Sequence, residues 1–205
     1  MQKTLKPIEY LNQTLEETIQ NKRRFFEEFG PKLVEAAELL GTCMKSGGKF
    51  LIMGNGGSAA DAQHMAAEMV GRMLIERRPL PAIALTTDSS NLTAIGNDYG
   101  YDQVFLRQIE ALGRPGDVVL AISTSGNSKN VLIAAERARS LGCKVIALTG
   151  GDGGKLKTIC DLWLNVGDGK NSSRIQETHI FAVHSMVDLV DRYFLDKHAK
   201  KDSLQ

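Results

Sequence analysis

The chain carries no surplus of charge. Its 25 Lys and Arg stand against 24 Asp and Glu, a net charge of +1 over 205 residues. The basic excess of a nucleic-acid binder is therefore missing, and no nucleic-acid partner is expected. No apolar run in the sequence approaches the roughly 20 residues that span a bilayer, so no membrane association is expected. The opening segment MQKTLKPIEYLNQTLEETIQ lacks the apolar core of a signal peptide, which leads to a cytoplasmic expectation. Cysteine is scarce: Cys43, Cys143 and Cys160 are scattered, odd in number and form no C-x-x-C pair. They read as small buried hydrophobes rather than disulfide partners or reactive thiols. Linkers and low-complexity stretches are absent too, and a 42% hydrophobic content suffices for one domain with a substantial core.

What is present is periodic. Leu11, Leu15, Ile19, Phe26 and Phe29 recur at near-helical spacing, and Gly30-Pro31 interrupts them. Leu33, Ala36, Ala37 and Leu40 then mark a second apolar stripe, which Gly47-Gly48 ends. Proline suits the first turn of a new helix, so a helical hairpin is expected over 1–48. Its apolar face could cover its own domain or pack on another subunit. From Lys49 the texture changes. KFLIM (49–53), AIALT (82–86), DVVLAIS (117–123), KVIALT (144–149) and DLWLNV (161–166) read as strands buried on both faces. Helical patterns fill 58–75, 101–111, 128–141 and about 172–195. Alternating strands and helices imply a parallel sheet with right-handed crossovers. The expectation is a single α/β domain over 49–196. It has a doubly wound, five-stranded parallel sheet flanked by helices, an N-terminal helical extension and a tail over 197–205.

In such sheets, ligands bind beyond the carboxyl ends of the strands. The turns there read GNGGS, TDSSN, TSGNS and GGDGG. The segment STSGNS places the hydroxyls of Ser123, Thr124, Ser125 and Ser128 around Gly126, just before a helix. Hydroxyl donors, backbone donors and a helix N-terminus together suit a phosphate monoester. An ordinary N-cap would need only one of those hydroxyls. In GNGGS the glycines permit close approach of a ligand, Asn55 can bond a polyol, and Ser58 can cap the next helix. A Walker loop is excluded, since GGDGGKL has Leu156 where Ser or Thr is required. Gly54, Gly56 and Ala59 imitate the dinucleotide fingerprint, but the acid, Asp88, comes too late in the chain.

His64 and Glu68 stand four residues apart, on one face of a helix, with Arg72 continuing the line. A solvated helix stripe accounts for these three as they stand. His184 lies within an apolar run and is expected to be a satisfied core histidine. Helical angle brings Glu177 nearest to it, with Gln176 further round.

Taken together and in order, GNGGSAADAQH, GND at 96–98, ISTSGNS and RIQETH…H resemble the sugar isomerase (SIS) domain family, and most closely its heptose-phosphate isomerases. The resemblance spans nearly the whole chain. It implies a cytoplasmic homotetramer whose subunits share each active site. Its reaction would be the aldose–ketose isomerisation of sedoheptulose 7-phosphate to D-glycero-D-manno-heptose 7-phosphate, on the way to the heptose of lipopolysaccharide. The resemblance further implies that Ser123, Thr124, Ser125 and Ser128 hold the phosphate. Asn55, Gly56, Gly57, Ser58, Asn97, Asp98 and Gln176 would contact the substrate, and Glu68 and His184 would form the acid–base pair. One zinc per subunit would be held by His64, Glu68, Gln176 and His184. Where some relatives have an acidic residue just before RIQ, this chain has Ser173. The alternative within the same family is a non-catalytic member that binds a sugar phosphate or a replication initiator.

Overall fold

The segment expected to form a hairpin is one helix. In the computed structural model, which describes residues 6–195, helix α1 runs unbroken from Pro7 to Lys45 and passes through Pro31. Pro31 has no N–H for the carbonyl of Glu27, a loss of about 3 kcal/mol in a helix interior. Against it stands a continuous buried stripe of Phe25, Phe29, Leu33, Ala36, Ala37, Leu40 and Met44. Each large apolar side chain buried contributes about 1.5–3 kcal/mol, so an unbroken stripe outweighs the proline. α1 packs mainly along the helix Ser172–Leu195 and the strand Leu162–Val166. Its N-terminal half leaves Ile8, Tyr10, Leu11 and Leu15 exposed. The tail expected over 197–205 lies outside the described residues.

After α1 come β1 (Phe50–Met53), α2 (Gly57–Val70), β2 (Ala82–Ala84) and α3 (Ser89–Tyr99). A 3-10 turn at Tyr101–Gln103 leads to α4 (Leu106–Leu112), β3 (Val118–Ser123) and α5 (Lys129–Ser140). Then follow β4 (Lys144–Gly150), α6 (Leu156–Ile159), β5 (Leu162–Val166) and α7 (Ser172–Leu195). All five expected strands are present and all pair in parallel, in the order β2-β1-β3-β4-β5. Two helices were not expected. α3 has no fully buried residue, and only Leu92 and Ile95 pack against the core, a short apolar signal among polar residues; its start is marked by Asp88, which accepts the Asn91 N–H at 2.9 Å. α6 is a single turn of four residues.

The sheet is the middle of three layers. Side chains alternate along a strand, so Phe50 and Ile52 enter the core beneath α1, α2 and α7 while Leu51 and Met53 enter the one beneath α4, α5 and α6. From β1 the chain moves outward to β2, then returns to the other side of β1 to form β3. That reversal opens a crevice at the carboxyl ends of β1 and β3. The turns at 54–58 and 123–128 are its two lips.

Candidate active site

The turn after β3 builds as expected. Ser123 and Ser128 hydroxyls meet at 3.0 Å, and Ser125 Oγ accepts the Asn127 N–H at 3.2 Å. Ser128 occupies the N-cap position of α5, yet its hydroxyl makes no capping bond. That hydroxyl is turned to Ser123, across the turn, rather than spent on its own helix. At Gly126, φ is +63° and a Cβ would fall 1.9 Å from the carbonyl oxygen of Gly153. The turn thus rests, backbone on backbone, on the loop GGDGG. Asn127 Oδ1 accepts the Lys155 N–H at 3.1 Å, and the Gly126 carbonyl accepts the Leu156 N–H at 3.0 Å. The last of the four turns, GGDGG, is therefore a buttress for the third, TSGNS.

The opposite lip differs from expectation in one detail. Gly56, not Ser58, is the N-cap of α2, and Ser58 is buried in the first turn with its N–H on the Asn55 carbonyl at 3.0 Å. A Cβ on Gly57 would fall 2.5 Å from the Gln176 amide, so a larger residue there would push the end of that side chain aside. Asn55 faces Asn130 in a reciprocal amide pair, both bonds 2.9 Å, and Asn55 Oδ1 also accepts the Tyr101 hydroxyl at 3.2 Å. Asn130, missed at the sequence level, joins the two lips directly. Asn97 and Asp98 are exposed in the last turn of α3, with Asn97 Nδ2 donating to Asp98 Oδ1 at 2.8 Å.

On α2 and α7 the structure brings His64, Glu68 and His184 together. His64 Nε2 and His184 Nε2 lie 2.9 Å apart, and Glu68 Oε1 is 3.5 Å from His64 Nε2. The core-histidine expectation for His184 is corrected: His184 is exposed, and the buried histidine is His179. His179 Nε2 donates to the Thr149 carbonyl at 2.9 Å, and burial pulls its pKa down to about 4. The expected proximity of Glu177 to His184 is also corrected. Glu177 bonds Thr18 on α1 and pairs with Arg174 at 2.9 Å, because the buried stripe of α7 turns that face toward α1. Arg72 does not continue the α2 line; it follows the C-cap Gly71 and pairs with Glu76 at 3.6 Å. Ser173 is exposed in the first turn of α7.

One further acid stands here that the sequence reading passed over. Asp61 lies one turn before His64 on α2. Burial pushes its carboxyl up to about 6, with the His64 charge opposing, and among the described residues its Oδ2 has no partner.

Two imidazole nitrogens and a carboxylate oxygen are ligand types that zinc accepts. Among the described residues, no three His, Cys, Asp or Glu side chains are grouped closely enough to hold a metal as they stand. The 2.9 Å between the imidazoles is a hydrogen-bond distance, shorter than the roughly 3.3 Å between two nitrogens on a tetrahedral zinc with bonds of about 2.0–2.1 Å. A small opening of the rings would admit the ion, so the donors fit by type. Gln176, at Gly57, is on the side toward which helical side chains such as His64 lean. The cysteines take no part. Cys43 and Cys143 are buried, and burial raises the Cys43 thiol to about 11.

Residues 13–150 match the SIS domain family model. A phosphoheptose isomerase of Citrifermentans bemidjiense is 57% identical over 165 residues, covering 80% of this chain and 85% of that protein. The structure of a phosphoheptose isomerase from Neisseria gonorrhoeae superposes with a TM-score of 0.86 at 48% identity, covering 91% of this chain and 100% of that one. Another, from Francisella tularensis, gives 0.88 at 41% identity, covering 92% and 100%. With the crevice, its hydroxyl-lined lip and the paired histidines in place, the chain belongs to the phosphoheptose isomerase family of SIS-domain proteins.

Proposed function

We propose that this chain is an aldose–ketose isomerase that converts sedoheptulose 7-phosphate to D-glycero-D-manno-heptose 7-phosphate. The observation that carries the reading is the convergence of Glu68, His64 and His184, from two helices, at one point. A solvated stripe on α2 would not draw a histidine from α7 into contact. The relatives named above are isomerases of this kind.

The phosphate sits among Ser123, Thr124, Ser125 and Ser128, at the N-terminus of α5, where hydroxyls and the helix end favour an anion. Asn55, Gly56, Gly57, Ser58, Asn97 and Asp98 face the sugar. Asn55 Oδ1 already accepts two bonds and one Nδ2 hydrogen goes to Asn130. One N–H remains for substrate, so Asn55 acts as a donor to a sugar oxygen. Glu68 removes a proton from C1 of the ketose. The C–H electrons form the C1–C2 double bond, and the carbonyl electrons move to the C2 oxygen, which takes a proton from His184. Return of a proton to C2, with loss of one from the C1 oxygen, gives the aldose. Zinc held by His64, Glu68, His184 and Gln176 would polarise the carbonyl as a Lewis acid.

In a single chain His64 and His184 stand open to water, whereas an enediol needs a closed site. The exposed apolar residues of α1 lie on a face that a second copy would cover. Both features support a homotetramer with shared sites. Among the described residues no helix is long and apolar enough to cross a membrane, in keeping with a cytoplasmic enzyme that supplies heptose to lipopolysaccharide.

The test is incubation of the purified protein with sedoheptulose 7-phosphate, with detection of the aldose product, beside Glu68→Gln and His184→Ala. Turnover by the wild type and its loss in both variants is expected. Binding without turnover would make this a sugar-phosphate-binding protein. Zinc content of gently purified protein, with activity after chelation, tests the metal; full activity in metal-free protein removes it from the reaction.

A further inference from the structure

The segment between α2 and β2 folds back so that the Arg77 side chain lies beneath the end of α2, 3% exposed. Its Nη2 donates to the Glu68 carbonyl at 2.7 Å; its Nη1 donates to the carbonyls of Met69 at 2.8 Å and Gly71 at 2.9 Å. These belong to the last turn of α2, whose carbonyls have no partners within the helix. The cation also meets the negative end of the helix dipole. The third guanidinium nitrogen, Nε, donates to Asp191 Oδ1 at 2.8 Å, and Asp191 is fully buried on α7.

Asp191 follows His184 by seven residues, close to two helical turns, so both project from nearly the same face of α7. One guanidinium therefore holds the backbone of Glu68 and the helix face that bears His184. A buried ion pair is weak evidence for stability, since apolar replacements of similar volume often do as well. What apolar groups cannot do is bond several carbonyls and a carboxylate at fixed angles. Lysine cannot either, having one nitrogen where arginine has a planar fork.

We infer that Arg77 is a positioning residue that sets the Glu68 carboxylate against the His184 imidazole by tying the end of α2 to α7. The inference rests on Glu68 and His184 being the acid–base pair. It assigns Arg77 no contact with substrate.

The test compares Arg77→Lys and the double variant Arg77→Met/Asp191→Leu with the wild type. The double variant removes the tie without leaving a buried charge unpaired. Arg137→Met, which breaks an exposed pair with Glu110, controls for loss of an arginine. Glu68→Gln and His184→Ala are assayed in parallel. For each, kcat and KM are measured with sedoheptulose 7-phosphate, binding with inorganic phosphate, and folding by thermal melting.

A displacement of catalytic groups by about 1 Å lowers rate about 100-fold. The expected result is a kcat about 10- to 100-fold lower in both Arg77 variants, with KM and phosphate binding within about twofold of wild type and the double variant folded. A folded double variant with kcat within about twofold of wild type overturns the inference. So does parallel weakening of phosphate binding, which would make Arg77 a general support of the fold. If Glu68→Gln and His184→Ala retain turnover, the acid–base reading fails and this inference with it. If those two lose turnover and the Arg77 variants do not, this inference alone fails.

Discussion

Asn55 and Asn130 exchange two hydrogen bonds of 2.9 Å, each amide donating to the other. Asn55 belongs to the turn after β1 and Asn130 to the first turn of α5, so the pair spans the crevice between the two lips. Asn130 is 4% exposed and its Oδ1 also accepts the Val131 N–H at 3.0 Å. Its Oδ1 thus accepts two bonds, and one hydrogen of its Nδ2 is held by Asn55.

Removal of this link should act on substrate binding. Asn130→Ala leaves Asn55 without its partner, and a stranded polar group costs about 1–3 kcal/mol. KM for sedoheptulose 7-phosphate should rise by about 5- to 100-fold, with a smaller change in kcat. Asn130→Asp keeps the acceptor for Asn55 Nδ2 and loses only the donor, so its KM should fall between the two. Steady-state kinetics on the three proteins decides the point; equal KM values would show that the pair is incidental.

The hydroxyls of the phosphate turn should be separable from the chemistry. Ser123→Ala and Ser128→Ala each remove one donor and break their mutual 3.0 Å contact. A hydrogen bond to a charged group contributes about 1.5–3 kcal/mol, so inorganic phosphate should bind about 10- to 100-fold more weakly to either variant. Calorimetric titration with phosphate measures this directly. Unchanged binding in both would place the phosphate elsewhere.

Gly126→Ala should damage the turn itself. The added methyl would need a left-handed backbone at φ +63° and would overlap the Gly153 carbonyl at 1.9 Å. Strained backbone of this sort costs about 1–3 kcal/mol before the collision is counted. A lower thermal midpoint with loss of phosphate binding is expected. A variant that melts with the wild type and binds phosphate normally would contradict the packing described above.

His179 makes a prediction about acid. Burial holds its folded pKa at about 4, below its ordinary 6.5. Between those values the unfolded chain takes up a proton that the folded chain refuses, so stability falls as pH drops from 6.5 toward 4. The full effect is on the order of 3 kcal/mol; above pH 6.5 it vanishes. Asp61, raised to about 6, acts in the opposite sense, because the folded chain binds its proton first. The difference between wild type and His179→Gln therefore isolates the histidine. Denaturant melts at pH 7 and pH 5 should show the wild type losing more stability than the variant, by about 2 kcal/mol. Equal losses would mean that His179 titrates normally.

The strands were legible because each is a short, nearly continuous apolar run, and burial on both faces demands that of a central parallel strand. The turn over 123–128 drew attention because four hydroxyls crowd one glycine. Pro31 misled for an equally physical reason. A proline reports a local loss, whereas the stripe from Phe25 to Met44 that outweighs it is a sum over the whole helix. His184 misled because it shares one apolar stretch with His179, and helical period alone does not say which of two histidines, five residues apart, is buried. Asn130 and Arg77 were invisible for another reason. Each works through a partner far along the chain, Asn55 and Asp191 respectively, and nothing near them in sequence announces it. Glu177 shows the limit of angular reasoning: helical angle points it towards His184, but its carboxylate bonds Arg174 and Thr18 on the side of α1.

The contact between Gly126 and Gly153 also bears on how such a protein can change. With no space for a methyl group at 126, that position of the turn admits no side chain unless the loop at Gly153 moves with it. Asn97 and Asp98 on α3 are exposed, and a Cβ on neighbouring Gly96 would come no closer than 4.0 Å to a side-chain carbon of Val104. In the proposed binding mode, a descendant that turned to a different sugar would keep the turn at 123–128 and change the rim around residues 96–98, so that one lip serves as a fixed handle and the other sets the range.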